Sequence, residues 1–250
     1  MESPAQFLRR AVGSASRRLD RPELLAAFYP QAARLQREDV AIGAILAAVL
    51  RSDSTFVDVG TNRGQILGEA VRLAPAGRHI AFEPIPALAE EIARSFPAVD
   101  CRRLAVGARA EVTEFCHFTS LDGWSGLRRN KDISDERGRP QFFEVQVSTL
   151  DAELRDVRPD LVKVDVEGAE LQVFEGAREL LARTRPVVVF EHVAAAARLY
   201  GSQSQALWEL FSELGYRVFA VTGEGPLSRE AFGGSEDAVN WLATPRELPA

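Results

Sequence analysis

Cysteine is scarce in this chain. Cys101 and Cys116 are the only two among 250 residues and have no CxxC spacing, which excludes a disulfide framework and a thiolate zinc site and points to a reducing cytoplasm. Lysine is equally rare, with only Lys131 and Lys163, so arginine supplies nearly all the positive charge; no mechanism follows from that bias. No apolar run approaches the ~20 residues that span a bilayer, and the N-terminus lacks the apolar stretch of a secretory signal. The chain is expected to be neither secreted nor membrane-spanning. An excess of positive charge is also missing: 36 acidic against 30 basic residues give a formal charge of −6 and no general electrostatic reason to bind nucleic acid.

What is present is ample material for a core, with 46% hydrophobic residues in a length that fits one large domain or a domain with an appendage. Residues 1–53 read as a helical extension, punctuated by Pro22 and Pro30, with an apolar-periodic run from Ala32 to Leu50. Its first segment sets Arg9, Arg10, Arg17, Arg18 and Arg21 beside Phe7, Leu8, Val12 and Leu19. That is either a solvated helix packed on the main domain or a basic amphipathic helix at a membrane surface. These apolar helices either cover a binding crevice or make a subunit interface, which leaves a homo-oligomer open. No site chemistry is evident in them.

Residues 54–250 form the second unit, where strands and helices alternate: Thr55–Val59, Gly64–Leu73, Arg78–Glu83, Pro86–Ser95, Val99–Leu104, then Leu161–Val166, Ala169 to about Arg183, Pro186–Glu191, Ser204–Leu214 and Tyr216–Val221. Such alternation predicts an α/β fold, a mostly parallel doubly wound sheet with helices on both faces. Ala238–Ala243 reads as a closing antiparallel strand. Val112–Phe118 and Phe142–Val147 read as shorter strands enclosing a long polar loop, Thr119–Gln141, and Gly223–Asp237 is a second candidate lid.

In an open parallel sheet, ligands bind beyond the carboxyl ends of the strands. Asp58 and Gly60 end the first strand of this unit, Asn62 and Arg63 fill the turn, and Gly64 opens the helix. The spacing is G-x-x-x-G. It lacks the G-x-G-x-x-G that presents a helix N-terminus to a pyrophosphate, so a nucleoside cofactor without phosphates is favoured. Glu83, 23 residues beyond Gly60, ends the next strand, where a carboxylate can accept from two ribose hydroxyls; the competing reading is a helix N-cap. Pro84 stops that strand. In S-adenosylmethionine enzymes the adenosine lies over such a turn, which assigns Leu104-Ala-Val-Gly107, with Ala105, to the adenine, and Asp58 or the nearby backbone to the methionine part.

The second distinctive stretch is Lys163-Val-Asp-Val-Glu-Gly-Ala-Glu170, which places Asp165, Glu167 and Glu170 at a strand end and a helix start. Acids there can be simple dipole complements, the better reading for Glu170, but a carboxylate ending a central strand carries a desolvation cost that implies a partner for Asp165. With Asp58-Val-Gly-Thr-Asn-Arg-Gly64, Val147-Ser-Thr-Leu-Asp151 and Val189-Phe-Glu-His192, the chain resembles the FkbM-type S-adenosylmethionine-dependent methyltransferase family from about Thr55 to Val221. The resemblance implies a class I methyltransferase (Rossmann-like) fold. It also implies O-methylation of a hydroxyl on a sugar, polyketide or other secondary metabolite, that is, a small-molecule or glycan acceptor. Asp58, Gly60, Asn62, Gly64, Glu83, Pro84, Ala105 and Asp165 are then the cofactor-binding residues.

A hydroxyl acceptor must lose a proton. His192 is the candidate general base, with Asp165 and Glu191 orienting it, the acceptor or the cofactor's ammonium group; the alternative is an ordinary histidine ending a strand. Asp165, Glu191 and His192 can instead hold magnesium or manganese, but no spacing establishes a metal and none is expected. His79 and His117 read as structural. Trp124, within Ser120–Leu127, either stacks on an acceptor ring or packs on the domain, and Arg128 or Arg129 is placed to meet an acidic group. Two other functions fit the same fold pattern, a nicotinamide-dependent oxidoreductase and a non-catalytic scaffold built on the N-terminal helices.

Overall fold

The change of hydrophobic period near residue 53 is where helix gives way to sheet. In a computed structural model, which describes residues 30–235 and 238–246, the apolar-periodic run is helix α1 (Pro30–Val49) and the alternation begins at β1 (Phe56–Val59). The arginine-rich segment before residue 30 lies outside the described residues. There follow α2 (Gln65–Leu73), β2 (His79–Phe82), α3 (Pro86–Ser95), β3 (Asp100–Arg102), β4 (Ala105–Val106), β5 (Glu111–Phe118) and β6 (Pro140–Ser148). After β7 (Leu161–Val164) come α4 (Glu170–Glu175), α5 (Arg178–Thr184), β8 (Val187–Glu191), α6 (Ser204–Glu213), β9 (Tyr216–Ala220) and β10 (Asn240–Pro245).

The seven-stranded sheet has the order β3-β2-β1-β7-β8-β10-β9, parallel except for β10, which runs antiparallel to both neighbours. This is the α/β, class I methyltransferase arrangement, with the expected closing strand inserted between β8 and β9. Strand alternation sorts the core into two layers. Phe56, Ala81, Leu161 and Val189 face Ile42, Leu46, Leu67, Ala70 and Ile92 of α1, α2 and α3. Val57, Ile80, Val162, Val188 and Phe190 face Val173, Leu181, Leu207 and Phe211 of α4, α5 and α6. Helix α1 therefore packs on the sheet beside α2. Among the described residues, no helix is long and apolar enough to cross a membrane.

Two expectations change, and both long loops carry local structure. The strand expected over Val99–Leu104 ends at Arg102, and Ala105 and Val106 pair with Val147 and Ser148 in a separate sheet of order β4-β6-β5. The helix expected from Ala169 to Arg183 is broken at Gly176, where a Cβ atom would stand 2.1 Å from the Gly107 carbonyl oxygen. The Asp151 carboxylate then accepts from the amides of Glu179 and Leu180 at 3.2 and 2.7 Å, which starts α5 as a newly capped helix. The segment 119–139 is an ordered insertion with a 3₁₀ turn, Asp122–Trp124, and one helical turn, Asp135–Gly138. Likewise the predicted lid after Gly223 carries a helical turn, Arg229–Gly233, and buries Phe232; Asp237 at its end lies outside the described residues.

Candidate active site

The glycine turn is built by backbone chemistry. Gly60, Asn62 and Gly64 adopt φ of 78°, 52° and 74°, a left-handed region that glycine enters freely and asparagine tolerates. A Cβ on Gly60 would lie 1.8 Å from the backbone oxygen of Asp165, and one on Gly64 would strike Ile92 and Phe96 at 2.7 and 2.8 Å. Both glycines are thus needed for close packing within the protein, and Gly60 seats the end of β1 against the end of β7.

Glu83 is buried, and each of its carboxylate oxygens already accepts one backbone amide: Asn62 N at 2.8 Å and Ile85 N at 2.9 Å. The carboxylate therefore ties the glycine turn to the start of α3, and Asn62 enters through its amide. Burial pushes the Glu83 pKa up to about 7, against the pull of those two amides. Pro84 is half-buried beside it. Ala105 is buried in an apolar cluster with Ile85, Leu88, Phe115, Val145 and Val147.

Asp58 is 1% exposed, and neither carboxylate oxygen has a hydrogen-bond partner among the described residues. Its charge partner is Lys163, directly adjacent in the β1–β7 register, with Nζ 3.5 Å from Asp58 Oδ1 and 3.3 Å from Asp165 Oδ2. The same ammonium donates to the Gly60 carbonyl at 3.2 Å. Burial works against the Lys163 charge, but Asp165 and Asp58 outweigh it and hold the lysine protonated, its pKa pushed up. Burial also raises the Asp58 pKa, which Lys163 only partly counters. A desolvated carboxylate with unfilled acceptor positions at a strand end is a seat for a cationic group.

Carboxylates also gather at the ends of β7 and β8. Asp165, Glu167 and Glu191 bring one oxygen each to within 4.8 Å of one another, half-buried. Burial, then the charges of Glu191, Asp165 and Glu170, push the Glu167 pKa well above the usual carboxylate range. This trio is the set able to take a divalent cation or a proton.

His192 is not in it, which corrects the expected Asp165, Glu191, His192 grouping. Successive residues of an extended strand point to opposite faces. Glu191 shares the face of Val189 and Lys163, while His192 follows Phe190 to the other side. There its ring is 5% exposed and stacked on Phe232, with Nε2 2.9 Å from Ser204 Oγ and Nδ1 3.4 Å from Glu170 Oε2. The residues missed from sequence are Lys163 and Glu167. The K-V-D-V-E-G stretch held the signal, since it spaces Lys163 and Asp165 on one strand face and ends in a glycine turn that can swing Glu167 round to them.

The insertion is fastened to both rims of the crevice. Arg63, in the glycine turn, reaches Asp122 at 2.7 Å and Glu91 at 3.1 Å, while His117 holds the other Asp122 oxygen at 2.9 Å. On the far rim the Tyr200 hydroxyl accepts from the Arg128 amide at 3.2 Å. The Arg128 side chain is exposed. Trp124 packs against Cys116, Phe118, Leu121 and Ile133, so the indole anchors the insertion to its own small sheet.

The sequence matches the Methyltransferase FkbM domain over residues 58–218. The methyltransferase sdnD of Sordaria araneosa is 29% identical over 164 residues, which cover 53% of this chain and 63% of that protein. The 2-O-methyltransferase NoeI of Sinorhizobium fredii (strain NBRC 101917 / NGR234) is 28% identical over 159 residues, 56% of this chain and 64% of that one. The chain thus spans less than two thirds of the length of either relative. A crystal structure of a methyltransferase FkbM from Methylobacillus flagellatus KT overlies 78% of this chain and 44% of its own, at 15% identity and a TM-score of 0.48. With the family match extending over more than half of the chain, the protein belongs to the FkbM methyltransferase family.

Proposed function

We propose that this member of the FkbM methyltransferase family transfers a methyl group from S-adenosylmethionine to a hydroxyl of a small molecule or glycan. The cofactor supplies an electrophilic sulfonium methyl. Glu83 has acceptor capacity left on both oxygens and suits the ribose hydroxyls, and Asp58 suits the ammonium of the methionine part. The Ala105 cluster offers an apolar wall to the adenine, while Gly60 and Gly64 shape the turn from behind. Residues 1–53 are, in the same proposal, an extension to the methyltransferase domain of residues 54–250.

The observation that carries the acceptor reading is the trio Asp165, Glu167 and Glu191 at the strand ends, on the same side as Asp58 and Lys163. Displacement at the methyl carbon forms the O–CH₃ bond, breaks the S–CH₃ bond and releases the hydroxyl proton. Glu167 is the acceptor of that proton, because a carboxylate with a raised pKa is a competent base near neutrality. Lys163 holds Asp165 in place, and burial first, then like-charge repulsion from Glu191, keeps Glu167 basic. The base is thus placed on Glu167, in place of His192. The trio also offers three oxygen ligands to a magnesium or manganese ion, and turnover that disappears on exhaustive chelation and returns with added magnesium would move it from base to metal holder.

The oxygen acceptor is supported by the name of NoeI, a 2-O-methyltransferase. The test is a methyl-transfer assay with labelled S-adenosylmethionine against sugars, polyketide alcohols and matched amines. Label in the alcohols is expected. Label only in the amines overturns the hydroxyl assignment, and cofactor binding without transfer to any of them favours a scaffold.

A further inference from the structure

Beneath the strand ends lies a buried chain of three polar side chains. Ser204, the first residue of α6, meets His192 Nε2 at 2.9 Å, and His192 Nδ1 faces Glu170 Oε2 at 3.4 Å. Neither of those last two atoms has a hydrogen-bond partner by strict geometry among the described residues, so each is the other's counterpart. The second Glu170 oxygen accepts from the Gly168 amide at 2.8 Å. We assign the ring hydrogen to Nδ1, which faces the carboxylate, and in that tautomer Nε2 accepts from the Ser204 hydroxyl.

The ring itself is buried and held in place. Phe232 stacks on it with ring centroids 5.6 Å apart, and its backbone is pinned by the Val239 carbonyl and by the Trp241 indole, which donates to the His192 oxygen at 3.2 Å. The chain of contacts ends at a strained turn. Glu167 and Gly168 have φ of 56° and 107°, two consecutive left-handed residues, and only one of them is glycine. A Cβ on Gly168 would lie 2.6 Å from the Ala196 backbone, so the turn is also wedged beneath the segment that follows His192. A non-glycine residue persists in that conformation only when its surroundings over-determine it.

We propose that His192 and Glu170 are positioning residues, which hold the Glu167–Gly168 turn left-handed so that the Glu167 carboxylate stands with Asp165 and Glu191. This rests on the reading of Glu167 as the acceptor-side base. Ser204 orients His192, His192 orients Glu170, and Glu170 fixes the Gly168 amide. None of these three belongs to the acids proposed to meet acceptor or cofactor, and Glu83 and Asp58 lie off the path, so the chain is expected to act on kcat and leave cofactor affinity alone.

Kinetics and calorimetry on two variants test the proposal. His192→Leu removes the donor facing Glu170 and is expected to lower kcat at least thirtyfold with the S-adenosylhomocysteine Kd unchanged within threefold. His192→Asn restores an N–H near the Nδ1 position and is expected to recover most of that loss. Equal, unrecovered losses in both variants would return the ring itself to a catalytic role and overturn the proposal, as would wild-type kcat in His192→Leu. A cofactor Kd that weakens in step with kcat would make the histidine merely structural. Crystal structures of both variants with S-adenosylhomocysteine provide a readout independent of any acceptor. Glu167 is expected to leave the left-handed region in the leucine variant and keep it in the asparagine variant, and a Glu167 turn unchanged in His192→Leu overturns the proposal even if no hydroxyl compound is ever methylated.

Discussion

The acids of the proposed donor half and those of the proposed acceptor half are held in opposite ways. Asp58 and Glu83 are buried, and Glu83 is locked by amides from its own turn and from the helix it precedes. Asp165, Glu167 and Glu191 are half-exposed, come from two strand ends, and meet only because a left-handed turn folds Glu167 back. The proposed donor site is local geometry repeated from sequence. The proposed acceptor site is a tertiary product, supported from beneath, where substitutions are expected to change substrate without unmaking the cofactor site.

The halves meet where the end of β1 packs on the end of β7, and forcing them apart should give the largest effect. Gly60→Ala sets a methyl group against the Asp165 backbone oxygen, where a Cβ has only 1.8 Å, in a left-handed conformation. Neither β1 nor β7 can yield, since both are central and buried. A loss of about 4 kcal/mol or more is expected in a denaturant titration. A loss under about 1 kcal/mol would mean that the two strand ends move independently.

Next in size is Glu167→Gln, which keeps the volume and removes the base. A kcat lower by about 10²–10⁴ is expected, with the S-adenosylhomocysteine Kd within threefold of wild type. If the Kd moves as far as kcat, the separation into two halves fails.

Glu83→Gln attacks the donor half instead. Hydrogen bonds to a charged group contribute about 1.5–3 kcal/mol, so cofactor Kd should rise by about one to two orders of magnitude. The wild-type protein should also show it in pH. Because Glu83 titrates at about 7, acidification neutralises the carboxylate and weakens cofactor binding below that point, and Glu83→Gln should flatten this part of the profile. The stability contribution has the opposite sign. Folded Glu83 keeps its proton to higher pH than the unfolded chain, so its burial costs progressively more as pH rises from about 4.5 to about 7.

The geometry of the proposed donor half was legible because it is local in the chain. A strand, a turn and the next strand end occupy positions 55–83, so spacing alone brings Gly60, Gly64 and Glu83 together, and α3 runs from Pro86 to Ser95 as periodicity predicts. The antiparallel last strand was legible from its apolar run as well. What the spacing hid was orientation. Glu191 and His192 are neighbours in the chain, but the pleat sends them to opposite layers, and a motif reading that pairs them ignores that alternation. Gly176 hid a helix break because its reason, the carbonyl of Gly107, is distant in sequence. Glu38 lay in a helix with no evident site chemistry, yet its buried carboxylate accepts from Asn240 at 2.8 and 3.1 Å and so fixes the start of the strand paired with Glu191.

The smallest effect belongs to Arg63→Ala, and it bears on whether the insertion joins the two halves. Arg63 leaves the donor turn and fastens Asp122 of the insertion, whose far side is held by Tyr200 on the acceptor rim. Burial pushes the Asp122 pKa up, but hydrogen bonds from His117 and Arg63 overcome it and hold it low, so the carboxylate stays charged and keeps both partners. Arg63 is 54% exposed, and an ion pair so open to water is worth about 0–1 kcal/mol. Thermal stability should therefore barely change, while acceptor KM rises about threefold as one of two fastenings is released. Raising the salt concentration should reproduce that rise in the wild type and add nothing in the variant, since screening acts on the same pair. An equal shift in cofactor Kd would show instead that Arg63 serves the glycine turn, and that the insertion is tied to the acceptor half alone.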